Sequence, residues 1–239
     1  MCEKTVVRGE LAALADPEYR DFQARLMPTV DPARILGVRT PALRRYAREL
    51  ARERADEARA FLAAPLPHAT YDEMNLHGEL VGLLAGTADE AFALLDRFLP
   101  YVDNWATCDL VRVPAFRRDL PAVLAKIQEW VAAEGPATEY VVRFGVEQLM
   151  TLFLDDAFEP WQLGLVAGIE RPEYYVNMAR AWYFSFALLR QPEATLPLFE
   201  RRPGAPALDA WTHNKALQKA RESRRATPEQ RALFQSLKV

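Results

Sequence analysis

The chain has 239 residues, half of them hydrophobic and 26% charged, with a formal net charge of −3. This is the composition of an ordinary globular protein, and it includes no run of the ~20 apolar residues that a membrane span needs. The negative net charge argues mildly against a nucleic-acid partner, because proteins that neutralise many phosphates usually carry a basic excess.

The N-terminal residues and the cysteine content predict a cytoplasmic protein. The sequence MCEKTVVRGE carries charges where a signal peptide needs an apolar core, so no export is predicted. Cys2 and Cys108 are too few for a disulfide framework and suit a reducing compartment. Residues 1–15 are expected to fray or to form a short helix.

Helical patterns dominate the first half of the chain, whereas strand signals are nearly absent. Pro and Asp repeatedly mark helix starts, which predicts helices near residues 17–27, 41–63, 71–84 and 87–98. The second of these has the apolar stripe of an amphipathic helix, formed by Leu43, Tyr46, Ala47, Leu50 and Ala51.

The second half of the chain repeats a pair of helices. The predicted pairs are 104–117 with 119–133, 137–154 with 158–168, 173–190 with 192–200, and 208–223 with 227–237. The first members begin 33, 36 and 35 residues apart, and two helices in ~35 residues are typical of an α-solenoid of the HEAT or TPR kind. The sequence therefore predicts an all-α fold, an α-solenoid of HEAT-like helix pairs, forming one curved domain over residues 1–239 with a concave face.

Several kinds of site are excluded by missing motifs. His68, His77 and His213 are far apart in sequence, and no pair has metal-ligand spacing with a cysteine, so no metal site is predicted. The sequence has no GxxxxGK[ST] and no GxGxxG, so no nucleotide cofactor is expected, and no GxSxG that would mark a hydrolase serine. No cofactor is expected, and any catalysis must depend on aromatic side chains, carboxylates and arginines.

The candidate site starts from the stretch DNWATCD at residues 103–109. Trp105 and Asp109 are four residues apart, which places both side chains on one face of a helix. Arg143 and Trp182 stand in the middle of the first helices of the next two repeats. Because equivalent helices of a solenoid line up side by side, these four residues are predicted to cluster.

Each of these residues also has a purely structural interpretation. A tryptophan with apolar neighbours is more often a core residue than a ligand platform, and Asp109 could pair with Arg112 or Arg143. Arg143 is the hardest to explain by packing, because an arginine in an apolar helix needs a carboxylate or phosphate partner. Asp103 is predicted to be the N-cap of its helix, with Asn104 as the first helical residue.

A basic segment lies near the C-terminal end of the sequence. Between Arg201 and Arg225 it has seven Lys and Arg residues against Asp209 and Glu222. Such an excess of basic residues usually means a solvated helix face, and the more specific interpretation is a surface that contacts phosphates. The residues of this segment that we select as candidate phosphate contacts are Lys215, Lys219 and Arg221.

Together these motifs resemble a known family. DNWATCD, followed by VVRFGV, AWYFSFALL and WTHNKALQKARES, resembles the DNA alkylation repair family of HEAT-like-repeat glycosylases, the AlkD-like proteins. The resemblance runs from about residue 36 to the C-terminus. Ala106 departs from the family, which commonly has an acidic residue there, and YYVNMARAW and NKALQKARES look more like a divergent subgroup.

The resemblance implies a monofunctional, monomeric glycosylase that excises N3- or N7-alkylated purines from duplex DNA. Asp109 would be the catalytic carboxylate, Trp105 and Trp182 the aromatic walls, and Arg143 a contact to a backbone phosphate. Lys215, Lys219 and Arg221 would bind DNA. The alternatives are a catalytically inactive homologue that binds DNA or a protein partner, and a pure interaction scaffold.

Overall fold

The computed structural model describes residues 3–204 and 208–239, and these residues are almost entirely helical. They form fourteen α-helices and three short 3-10 helices, and the part of the chain so described contains no strand. No helix in these two ranges is both long and apolar enough to cross a membrane. The structure therefore confirms the predicted all-α class.

The chain separates into two compact units, Met1–Val123 and Leu124–Val239. That the two form one continuous curved domain stays a prediction. The helices of the first unit are α1 (Glu3–Ala13), α2 (Pro17–Leu26), α3 (Thr40–Glu53), α4 (Ala55–Ala63), α5 (Tyr71–Leu84), α6 (Ala88–Phe98) and α7 (Trp105–Leu110). Helix α8 (Leu120–Val131) begins just before the boundary between the units.

The second unit continues the predicted repeat. Its helices are α9 (Glu139–Leu152), α10 (Gln162–Ala167), α11 (Tyr174–Arg190), α12 (Pro192–Phe199), α13 (Ala210–Glu222) and α14 (Pro228–Ser236). Helix α11 packs between α9 and α13, while α12 pairs with α11 and α14 with α13. The first members of the repeats begin at Trp105, Glu139, Tyr174 and Ala210, which are 34, 35 and 36 residues apart.

Three predicted helices are wrong in their extent, and one of them, predicted over 158–168, is only Gln162–Ala167. The helix predicted over 41–63 is interrupted at Arg54, whose backbone leaves the helical region (φ −134°, ψ 48°) while its guanidinium binds Glu10 and Glu57. The helix predicted over 104–117 ends at Leu110 and is followed by a 3-10 helix, Pro114–Arg118. Pro114 explains this second break, because proline has no N–H for the helical ladder and disfavours a helical residue before it.

Helix α5 forms the centre of the first unit, and eleven of its residues are buried. One of them, Asp72, accepts hydrogen bonds from the backbone N–H groups of Leu36 (2.6 Å) and Val38 (2.8 Å), and burial raises the pKa of its carboxyl. Between these donors Gly37 has a φ of +90°, and a Cβ there would lie 2.6 Å from the carbonyl oxygen of Asp16. This loop therefore requires glycine, and Asp72 fixes it to α5.

Candidate active site and cationic surface

Helix α7 starts one residue later than predicted, because Asn104 and not Asp103 is its N-cap. The Asn104 side-chain oxygen accepts from the N–H of Thr107 (2.8 Å), and the Thr107 hydroxyl donates to Asn75 of α5 (2.7 Å). Asp103 instead forms an ion pair with Arg34 (2.6 Å). Both Asp and Asn are good caps, so local preference did not distinguish them; the pairing of Asp103 with Arg34 leaves the cap position to Asn104.

Trp105 and Asp109 lie on the wall of one cavity in the first unit. The cavity has a volume of about 260 Å³, and both side chains are partly buried. The indole N–H of Trp105 donates to the carbonyl oxygen of Leu26 at 3.4 Å, which holds the ring against the end of α2. A partly accessible carboxylate and an indole in the wall of one cavity can together stabilise a positive charge on a bound group.

The rest of the cavity wall includes three aromatic side chains that were not predicted from the sequence. The wall includes Tyr19 and Phe22 of α2 and Tyr71 of α5. Phe22 is 48% exposed and Leu26 is 47% exposed, so α2 presents large apolar side chains to the outside. The signal was present in PEYRDFQARL, where Tyr, Phe and Leu are the large apolar residues of an otherwise polar helix.

Arg143 is buried in α9, with only 3% of its surface exposed. Its guanidinium lies 3.3 Å from a carboxylate oxygen of Glu147, one helical turn further on, and donates to the carbonyl oxygen of Tyr175 at 2.9 Å. The structural interpretation, that an arginine here needs a carboxylate, is therefore met by Glu147. A direct phosphate contact by Arg143 stays a prediction, and it would require the side chain to exchange these partners.

Trp182 lies in α11 and is partly buried. Its ring packs edge-on against Phe186, with the ring centroids 6.1 Å apart. Trp105 and Asp109 belong to the first unit, whereas Arg143 and Trp182 belong to the second. The predicted clustering of all four residues therefore stays a prediction.

The three basic candidates lie together on α13. Lys215 and Arg221 line an open groove of about 540 Å³, and Lys219 is partly buried one turn after Lys215. Burial lowers the pKa of Lys219, and the charges of Lys215 and Arg143 lower it further. The side-chain partners of Lys215 and Arg221 are the neutral amides of Gln218 and Gln235, and neither cation forms an ion pair within the described ranges.

Two of the three histidines lie together, although the sequence suggested that all three are far apart. His68 and His77, judged too far apart to form a site, are in contact, with ring nitrogens 2.9 Å apart. They are buried between Phe61 and Phe98, each of which stacks on one imidazole. No cysteine or carboxylate of the described residues joins them in a metal-ligating group, so the geometry is that of a packed core pair.

The sequence matches the family described as DNA alkylation repair enzyme over residues 7–183. That range covers well over half of the chain and includes Trp105, Asp109, Arg143 and Trp182, but it ends before α13. No curated protein and no solved structure matches the chain.

Proposed function

The chain belongs to the DNA alkylation repair enzyme family, and from that premise we propose that it is an alkylpurine DNA glycosylase. The proposed reaction is hydrolysis of the N-glycosidic bond of cationic N3- or N7-alkylated purines in duplex DNA. The observation that carries the proposal is the aromatic cavity in which Trp105 and Asp109 lie together. The AlkD-like subgroup stays a prediction.

The chemistry of the lesion explains why so simple a site is enough. Alkylation at a ring nitrogen gives the purine a positive charge, so the base leaves with the electron pair of the broken bond without a strong general acid. The barrier is then the positive charge that develops on the deoxyribose. Preorganised negative charge aimed at that position is the most effective way to lower such a barrier.

In the proposal Asp109 supplies that charge and Trp105 supplies an aromatic face. The carboxylate stabilises the oxocarbenium-like sugar and orients the water whose oxygen forms the new bond to C1′, while a proton of that water passes to the carboxylate or to solvent. The indole adds a cation–π attraction of about 0.5–2 kcal/mol. A cavity of about 260 Å³ is just below the ~300 Å³ at which small-molecule pockets usually begin, so it suits one sugar or one base and not a whole nucleotide.

The second unit contributes the remaining predicted groups. Trp182 is proposed as a further aromatic wall, and Lys215, Lys219 and Arg221 as contacts to the DNA backbone. Arg143 is proposed as a further cation of this unit, whose charge is largely offset while it is paired with Glu147. A direct contact of Arg143 with phosphate is the stronger form of this proposal.

The second candidate function is binding without catalysis by a protein of the same fold. A homologue that binds DNA or a protein without excising a base is favoured by one observation, the burial of Arg143 against Glu147. An arginine held in this way contributes to packing whether or not DNA is bound. The base-release experiment decides between the two functions.

The test is release of 7-methylguanine or 3-methyladenine from methylated duplex DNA. We expect release by the wild type and a loss of roughly 100- to 1,000-fold in Asp109→Asn, the usual effect of removing one electrostatic group at a reacting centre. Trp182→Ala should also slow release. The matched controls are Asp103→Asn, a carboxylate of the same stretch that does not line the cavity, and Trp161→Ala, an exposed tryptophan of the second unit.

Each outcome has a separate meaning. No release by a folded wild-type protein contradicts the glycosylase and leaves the binding function. Full activity of Asp109→Asn contradicts the role of the carboxylate and leaves the reaction. Equal losses in Asp109→Asn and Asp103→Asn would mean that stability and not chemistry was affected, so the melting temperature of each variant is measured alongside.

A further inference from the structure

Two aromatic side chains of the second unit are both exposed and in contact with each other. Tyr174, at the start of α11, is 57% exposed, and Trp211, at the start of α13, is 42% exposed. Their rings meet edge-on with centroids 5.8 Å apart. A single exposed aromatic side chain is common, whereas two that adjoin each other present a surface on which a flat ligand can stack.

The open groove on α13 begins at Trp211 and carries a local excess of positive charge. Its charged lining consists of Lys215, Arg221 and Lys238 against the single carboxylate of Glu222. This balance of +2 is opposite in sign to the −3 of the whole chain. The groove lining, together with Tyr174, is called the α13 groove below.

The walls of the α13 groove are held by hydrogen bonds. Asn214 donates to the backbone oxygen of Val239 (2.7 Å) and accepts from its N–H (3.1 Å), which fixes the residues after α14 against α13. Gln218 accepts from Lys215 (3.2 Å) and donates to Glu222 (2.8 Å). The amides that line the groove are thus occupied by protein partners, while Lys215 and Arg221 bond only to neutral amides within the described ranges and keep their charge for an anionic ligand.

These properties select one class of ligand. A positive groove attracts a polyanion, and exposed aromatic rings favour a polyanion that carries flat rings of its own. A single strand of nucleic acid has both, whereas a duplex keeps its base faces stacked inside and an acidic peptide lacks the rings. The volume of about 540 Å³ lies within the range of small-ligand pockets and is large enough for a nucleotide unit.

We propose that the α13 groove binds unpaired nucleotides of a DNA strand, with a base on Trp211 or Tyr174 and phosphates against Lys215, Arg221 and Lys238. The inference rests on the proposed function for the identity of the polymer as DNA. It extends that function, because Trp211 lies outside the part of the chain that matches the family.

The test of stacking is the affinity for a fluorescein-labelled single-stranded oligothymidine, measured by fluorescence anisotropy on the full chain. Trp211→Ala should weaken binding by about 5- to 100-fold, and Trp211→Phe should restore most of the affinity, because stacking needs an aromatic face and not an indole N–H. Trp161→Ala, which removes another tryptophan of similar exposure (47%), should bind as the wild type does. Unchanged affinity in Trp211→Ala, or an equal loss in Trp161→Ala, overturns the proposal.

The test of the phosphate contacts is the salt dependence of the same binding. The double variant Lys215→Gln with Lys238→Gln should reduce the slope of log affinity against log salt by about 1.4, since each single-strand phosphate contact contributes ~0.7. An unchanged slope would contradict these contacts. Polyglutamate provides charge without bases, and if it binds as tightly as the oligothymidine, a general anion site replaces the strand site.

The result is distinguishable from a failure of the glycosylase. Strand binding is measured on undamaged DNA, whereas base release is measured on methylated duplex. A wild type that releases base but does not bind the oligothymidine refutes only the strand site. A wild type that binds the oligothymidine through Trp211 but releases no base refutes only the glycosylase.

Discussion

The carboxylate of Asp209 has two structural roles in the second unit, as a helix cap and as the partner of a buried arginine. One of its oxygens accepts from the N–H of Thr212 (2.8 Å) and so caps α13, while the other pairs with Arg180 (2.9 Å). Arg180 is buried, and its guanidinium also donates to the carbonyl oxygens of Val166 and Ala167. Burial alone would raise the pKa of Asp209, but the hydrogen bonds from Thr212 and the charge of Arg180 outweigh it and lower that pKa below 3.8.

The lowered pKa of Asp209 predicts an acid-sensitive contribution to stability. Since the folded-state pKa lies below the unfolded one, the stabilisation is complete above pH 3.8 and is lost as the pH falls through the folded value. Asp209→Asn keeps a good N-cap but removes the charge, so it should lower the free energy of unfolding by about 1 kcal/mol at neutral pH. A fully buried ion pair would contribute more, but the Asp209 carboxylate is half exposed and solvent screens its charge.

The measurement is urea unfolding of the wild type and Asp209→Asn from neutral pH to about pH 3. The two curves of stability against pH should converge as the carboxylate of the wild type is protonated. Asp21→Asn is the control, because Asp21 is exposed and pairs with its exposed neighbour Arg20. Parallel curves would show that Asp209 acts only as a cap.

At the scale of elements, the position of the candidate residues Trp105 and Asp109 depends on how closely α5 approaches the end of α7. Gly82 of α5 faces the backbone just after α7, and a Cβ at this position would lie 1.8 Å from the carbonyl oxygen of Arg112. Arg112 in turn donates to the carbonyl oxygen of Asp109 (2.6 Å). Close packing of α5 therefore fixes the end of the short helix that carries both Trp105 and Asp109.

Gly82→Ala should consequently destabilise the first unit by about 1–3 kcal/mol or more, because backbone and not a flexible side chain must move to admit the methyl group. Gly9→Ala is the matched control, since Gly9 is a helical glycine of the same unit with nothing within 4 Å of an added Cβ. That control should gain about 0.5–1 kcal/mol from helix propensity.

Urea unfolding followed by circular dichroism measures both changes. Equal effects of the two substitutions would mean that helix propensity outweighs the close approach, and would remove Gly82 as a support of the site. A destabilised Gly82→Ala that also releases base more slowly would connect the packing of α5 to Asp109.

At the scale of the whole molecule, the distribution of charge matters more than its sum. The net charge is −3, but seven Lys and Arg residues lie between Arg201 and Arg225. Attraction to DNA should therefore come from one region and should weaken steeply with salt, as counterions compete for the phosphates.

The triple variant Lys215→Gln, Lys219→Gln and Arg221→Gln should bind duplex DNA more weakly. It should also reduce the slope of log affinity against log salt by up to about 2.7, or ~0.9 for each phosphate contact that is lost. The control is the loss of three exposed arginines of α3, by Arg45→Gln, Arg48→Gln and Arg52→Gln. A larger change in the control than in the α13 variant would place the DNA-binding surface elsewhere.

The amino-acid sequence determined the helices and their repeat, because these depend on local signals. The span of α5 follows from Thr70 as cap and from the apolar pattern after it, and the observed helix matches the predicted residues 71–84. The stripe of α3 is confirmed in the same way, since Leu43, Ala47 and Leu50 are buried. Periodicity and capping act within a few residues, so a single sequence shows them.

The partners of the candidate residues were decided only by the tertiary structure. Arg143 forms an ion pair with Glu147 and donates a hydrogen bond to the carbonyl oxygen of Tyr175. Trp105 donates a hydrogen bond to the carbonyl oxygen of Leu26, 79 positions away in the chain. Such pairings depend on how whole helices pack, and local pattern carries no information about which distant groups meet. The sequence therefore indicated which residues to examine, while the fold determined that Trp105 and Asp109 share an aromatic cavity and that Arg143 is buried.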